Sequence, residues 1–163
     1  MNPLLTWEQR ETSSGAGRTS INASAELQFV DTNILVYAHD ISSGVKHHQA
    51  KVLIEDLWNS REGCLSVQVL QEFYVTVTQK VSNPLSGASA AQIIRDLAFW
   101  KLHKPGSEDV MGAIELQQRV MISFWDAMIL WSAQQLGCAK VWSEDLNPGQ
   151  DYEGLKLVNP FNP

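Results

Sequence analysis

The sequence is poor in cysteine, lacks long apolar runs and has no excess of basic residues. Its two cysteines, Cys64 and Cys138, each lie in or beside a short apolar run. We interpret both as buried reduced thiols of a cytosolic protein. No apolar run approaches the roughly 20 residues that cross a bilayer, and the first 26 residues do not resemble a secretory signal. We therefore expect a cytoplasmic protein without a membrane span.

The acidic balance limits the kinds of partner that the surface can bind. Twelve Lys and Arg residues stand against 18 Asp and Glu residues, giving a net charge of −6. This charge argues against a broad basic surface for nucleic acid. It leaves a nucleic-acid enzyme open, because cations bound at an acidic centre would reverse the local potential.

The 163 residues suit one domain with a sizeable core. Residues 1–26 are polar and rich in Gly, Ser and Thr, so we predict an N-terminal arm or leader there and one domain over residues 27–163. Short apolar strands alternate with amphipathic helices, which predicts an α/β domain with a mostly parallel sheet. The predicted strands cover residues 27–30, 64–66, 139–142 and 155–158, and the predicted helices follow Asp31 and cover residues 45–59, 67–80, 90–102, 107–120 and 123–136.

The stretch from Leu27 to Asp40 organises the chain. It reads as a short buried strand that runs directly into a helix, with Asp31 at the junction. Such an acid lies at the carboxyl edge of a parallel sheet, where open α/β proteins bind their ligands. A buried charge there is costly without a partner. Asp31 could instead simply cap the helix that follows it.

Three further acids lie against apolar runs at the end or flank of an element: Glu72, Asp126 and Asp145. Each also has a simpler interpretation. Glu72 could be an ordinary solvated helical residue, Asp126 could complete a capping box with Ser123, and Asp145 could begin a turn.

Taken as a set, the four acids predict a cation site. Neighbouring carboxylates repel each other, and their pKa values rise unless a cation is present. Carboxylate oxygens with room for water suit Mg²⁺ or Mn²⁺. Zinc is disfavoured, because no histidine pair has the HExxH spacing and the cysteines are isolated in the sequence.

Four stretches carry a family resemblance: FVDTNIL at 29–35, LQEFY at 70–74, SFWDAMI at 123–129 and SEDL at 143–146. Together they resemble the successive motifs of PIN domains, most closely those of VapC-type toxins from prokaryotic toxin–antitoxin pairs. The resemblance runs in order from Leu27 to Phe161.

The resemblance implies a three-layer α/β/α sandwich with a central, mostly parallel sheet. It also implies Mg²⁺- or Mn²⁺-dependent cleavage of RNA, a cognate antitoxin and a homodimer. The residues that match the family's catalytic and metal-binding acids are Asp31, Glu72, Asp126 and Asp145, and the supporting polar positions are Asn33 and Ser143.

Other functions remain as alternatives. A haloacid-dehalogenase-like phosphatase would need a second acid where Asn33 stands, and a Rossmann module would need a glycine-rich turn after the first strand. A catalytically silent PIN fold that binds RNA or protein is the stronger alternative, although all four acids are present. Which cations would hold RNA is open, and the candidates are Lys46, Lys51, Lys80, Arg95, Lys101 and Lys104.

Overall fold

The computed structural model describes residues 26–162. The predicted N-terminal arm therefore lies outside the described residues, apart from Glu26. The strands are β1 (Gln28–Val30), β2 (Gly63–Ser66), β3 (Lys101–His103), β4 (Lys140–Trp142) and β5 (Lys156–Val158). The α-helices are α1 (Thr32–His39), α2 (Val45–Ser60), α3 (Val67–Gln79), α4 (Gly87–Leu97), α5 (Ser107–Val120) and α6 (Phe124–Gln135), with a 3₁₀ turn at Ile41–Ser43.

The five strands form one parallel sheet in the order β3-β2-β1-β4-β5. The chain moves outward from β1 to β3 and then returns to the other side of β1 with β4. Because crossovers between parallel strands are right-handed, this reversal places α1–α4 on one face and α5–α6 on the other. The predicted three-layer α/β/α sandwich is confirmed. The reversal also creates a switch point between β1 and β4, where such sheets form a crevice.

One strand contradicts the sequence-based assignment. We predicted a helix over residues 90–102, but the helix α4 ends at Leu97 and residues 101–103 form β3. β3 pairs in parallel with β2, with Leu102 opposite Leu65. The apolar residues of this stretch fit either element. Pairing with the edge of β2, which would otherwise lack a partner strand on that side, favours the strand. The helix α5 covers the predicted range 107–120, and its N-cap is Gly106.

The core lies between the sheet and the helices on both faces. Phe29, Leu65 and Val141 come from three neighbouring strands and are fully buried. Cys64 and Cys138 are buried and free, as predicted. Across the described residues, no helix combines the length and the apolarity that a membrane span requires.

Candidate active site

Asp31 lies where β1 ends and α1 begins. Its backbone is extended (φ −74°, ψ 157°), and its carboxylate caps α1 by accepting from the Thr32 N–H at 2.6 Å. The capping interpretation is therefore correct, but the cap is only part of its environment. Asp31 is 8% exposed, and its second oxygen accepts from the Ser143 hydroxyl at 2.7 Å and from the Asn33 amide at 3.1 Å.

Asn33 and Ser143 join the ends of β1 and β4. The Asn33 amide also donates to Asp145 at 2.9 Å, so one NH₂ group bridges two carboxylates. Ser143 is buried and accepts from the backbone N–H of Asp145 at 3.2 Å. These two residues connect Asp31 to Asp145 through hydrogen bonds.

Glu72 reaches the same region from α3. Its carboxylate accepts from the Thr32 hydroxyl at 3.0 Å and from the Gln68 amide at 2.9 Å. It is therefore held by neutral donors and does not have the fully solvated environment of an ordinary surface glutamate.

Asp126 lies in the first turn of α6. Its backbone N–H donates to the Ser123 hydroxyl at 3.1 Å, and that hydroxyl donates to the Asp126 carboxylate at 2.7 Å. The predicted pairing with Ser123 is present, and it leaves Asp126 half-buried at the wall of the cleft.

All four acids line one open cleft of about 360 Å³ at the carboxyl edge of the sheet. Its remaining lining residues are Thr32, Asn33, Val36, Tyr37, Thr76, Trp125 and Ile129. Within residues 26–162, no three His, Cys, Asp or Glu side chains are close enough to hold one metal ion together. The fold therefore gathers the acids around one space without closing them into a ligand cage.

The electrostatics of Asp31 reflect this grouping. Its pKa is raised from 3.8 to about 6, chiefly by burial and also by the charges of Asp145 and Glu72, while the hydrogen bonds from Ser143 and Thr32 lower it. A carboxyl with this pKa is costly to ionise at neutral pH, and a nearby cation would remove the cost.

The donor chemistry of the cleft fits Mg²⁺ or Mn²⁺. All candidate ligands are oxygens, which hard divalent cations prefer. Mg²⁺ keeps several waters and is usually bound by one or two carboxylates together with substrate phosphates. An open cleft without a three-carboxylate cage suits that mode of binding. A bound cation would also stabilise the ionised form of Asp31, whose pKa is raised chiefly by burial.

The sequence reasoning missed Trp125 and Tyr37 at this site and named Lys46 only as a candidate cation for RNA. Trp125 is 61% exposed and lines the cleft beside Asp126. The Tyr37 hydroxyl donates to Glu144 at 2.7 Å, and Lys46 forms an ion pair with the same carboxylate. A large aromatic residue directly before an acid was the available signal for Trp125.

A family model described as PIN domain matches residues 29–149. No curated protein matches the sequence. Among solved structures, a toxin–antitoxin complex from Klebsiella pneumoniae is similar, with TM-score 0.59 and 20% identity over 82% of this chain and 97% of that one. Mycobacterium tuberculosis VapC20, described as a sarcin-ricin loop cleaving toxin, gives a TM-score of 0.55 and 20% identity over 70% and 86%. VapBC from Salmonella typhimurium bound to DNA gives 0.58 and 16% over 83% and 98%. At these identities the likeness shows the fold.

Proposed function

The chain belongs to the PIN domain family, and we propose that it is a ribonuclease that hydrolyses RNA phosphodiester bonds with Mg²⁺ or Mn²⁺. The observation that supports this most directly is the cleft itself: acids from four separate motifs line one space at the switch point of the sheet. We place the nuclease domain at residues 27–163, with residues 1–26 as an arm or leader, and the activity in the cytoplasm.

The residues of the cleft have distinct roles in this proposal. Asp31 and Asp126, helped by Asp145, would hold the metal, and Glu72 would hold a second metal or orient the attacking water. The bound metal would polarise the phosphate and supply a hydroxide-like water at neutral pH. Water would attack phosphorus in line and break the P–O3′ bond, so the 5′-phosphate stays on the downstream fragment.

Asn33 and Ser143 would hold the acids in this arrangement through hydrogen bonds. Asn33 donates to both Asp31 and Asp145, and Ser143 donates to Asp31. Because these hydrogen bonds fix the orientation of Asp31, the carboxylate can bind a cation without reorganising its side chain.

A toxin role is the biological context that we propose, with a cognate antitoxin and a homodimer as partners. The similar solved structures include toxin–antitoxin complexes. Ile41, Val45 and Val52, on the 3₁₀ turn and α2, are 72%, 75% and 44% exposed. We propose that these exposed apolar side chains belong to the surface that an antitoxin segment would cover.

Replacing one acid tests the proposal. Asp31→Asn should abolish Mn²⁺-dependent cleavage of total RNA, because it removes the most buried carboxylate of the cleft. The matched control is Asp56→Asn, which neutralises an exposed acid on α2 and should leave cleavage unchanged. Cleavage by Asp31→Asn at the wild-type rate would contradict the assignment. RNA binding without cleavage by the wild type would favour the catalytically silent module.

A further inference from the structure

A second cavity lies at the opposite edge of the sheet from the acidic cleft. It has a volume of about 460 Å³ and is lined by Trp58, Arg61, Gly63, Phe99, Trp100 and Lys101. Gly63 and Lys101 are the first residues of β2 and β3, whereas Asp31 and Asp145 come after the last residues of β1 and β4. Because all strands are parallel, the two cavities lie at opposite ends of the sheet.

The wall of this cavity is aromatic. The rings of Trp58 and Trp100 contact each other with centroids 6.0 Å apart. Trp100 lies directly on the backbone of Gly63, where an added Cβ would come within 2.4 Å of the ring. Phe99 is 74% exposed. Flat aromatic surfaces that face solvent are suited to stacking with planar groups.

Two cations stand beside these rings. Arg61 and Lys101 are exposed, and neither forms an ion pair within residues 26–162. Elsewhere, Lys46 is neutralised by Glu144 and Arg119 by Glu153. In a protein with a net charge of −6, this cavity therefore combines two cations that form no ion pair in the described residues with neighbouring aromatic rings.

We propose that this cavity is a second binding site for single-stranded RNA, with a base stacked on Phe99 and Trp100 and phosphates bound by Arg61 and Lys101. Aromatic rings and flanking cations are the combination that binds single strands without reading their sequence. The choice of RNA as the occupant rests on the proposed ribonuclease activity. No Lys or Arg is among the residues that line the acidic cleft, so the cavity would add protein cations to the attraction that bound metal ions would supply in the cleft.

A second copy of the chain fits the cavity less well. A stable interface buries about 800 Å² on each partner, whereas full burial of an aromatic side chain such as Phe99 covers about 150–250 Å². The exposed ring of Phe99 is thus far too small to form a dimer interface by itself.

Binding measurements on the full chain test the proposal. The probe is a fluorescein-labelled single-stranded RNA of about 30 nucleotides, in Ca²⁺ to limit cleavage. Phe99→Ala should weaken binding by roughly 5- to 150-fold, the range for loss of one stacked base. The double variant Arg61→Gln/Lys101→Gln should lower the slope of log affinity against log salt by about 1.4, for two lost phosphate contacts. The control Arg119→Gln/Lys156→Gln changes net charge equally, at one exposed arginine and one exposed lysine outside the cavity.

Cleavage assays then separate this proposal from the function itself. In Mn²⁺, Phe99→Ala should raise KM for the long RNA and leave cleavage of an RNA of about six nucleotides unchanged, because the short strand occupies only the cleft. If the wild type cleaves neither RNA, the proposed function fails, and the binding data still decide on the cavity.

Three results would overturn the RNA site. First, Phe99→Ala could bind the long RNA as tightly as the wild type does. Second, the cavity double variant and its control could change the salt slope equally. The third is a change from dimer to monomer on Phe99→Ala in analytical ultracentrifugation, which would make the cavity an interface between copies of the chain.

Discussion

Neutralising Asp31 should make the metal-free protein more stable, and this effect should depend on pH. The pKa of Asp31 rises from 3.8 to about 6 on folding, chiefly through burial. At about 1.36 kcal/mol per pKa unit, the ionised carboxylate lowers the free energy of unfolding by about 3 kcal/mol. Asp31→Asn removes this cost. The hydrogen bonds from Thr32 and Ser143 become weaker in the variant, which lowers its gain in stability by about 1 kcal/mol.

The sign of the pH dependence follows from the direction of the shift. Because the folded-state pKa is the higher one, the folded protein binds the proton more tightly than the unfolded chain. The destabilisation by Asp31 is therefore complete above about pH 7 and disappears as the pH falls through about 6 towards 3.8. Asp31→Asn should gain about 2 kcal/mol over the wild type at about pH 8 and almost nothing at about pH 4.5.

Urea denaturation followed by circular dichroism, in EDTA, measures this difference at both pH values. Asp56→Asn controls for loss of a surface charge and should stay within about 0.5 kcal/mol of the wild type at each pH. Added Mg²⁺ at about 100 times its Kd should stabilise the wild type by about 2.7 kcal/mol and the Asp31→Asn protein by much less. A difference between the two proteins that is the same at both pH values would refute the reasoning, since hydrogen-bond changes alone carry no such pH dependence.

Two further substitutions test the surroundings of the acids. Ser143→Ala removes the hydroxyl that donates to Asp31 at 2.7 Å, and the free energy of unfolding should fall by about 1–3 kcal/mol. The acid limb of the cleavage pH profile should also shift to higher pH, because the lost hydrogen bond lowers the pKa of Asp31. An unshifted acid limb would mean that Ser143 does not tune Asp31. If a base stacks on the Trp125 ring, Trp125→Ala should raise KM for RNA by roughly 5- to 150-fold, and Trp125→Phe should stay close to the wild type. The melting temperature should not change, because the side chain is 61% exposed. Equal KM values for the Ala and Phe variants would exclude stacking.

Prediction from the sequence was most accurate where the pattern of apolar residues and the chemistry of the side chains indicate the same local structure. Asp31, between a buried strand and a helix, could only lie at the carboxyl edge of a parallel sheet, and the structure places it there. Ser66 and Ser123 precede α3 and α6, and each hydroxyl caps the helix that follows it directly in the sequence. β3 was assigned to a helix because its three residues pair with β2 only in the folded chain.

The sequence by itself determined every strand except β3, the helices between the strands, the acids beside these elements and the family to which the chain belongs. Only the tertiary structure decided how the acids meet. Asn33 bridges Asp31 and Asp145 across 112 residues of sequence, and Asp126 joins their cleft without a shared hydrogen-bond partner. Such long-range distances arise from sheet order and helix packing, which local periodicity does not encode. The same holds for Trp58, Phe99 and Trp100, whose common cavity exists only because β2 and β3 are neighbours.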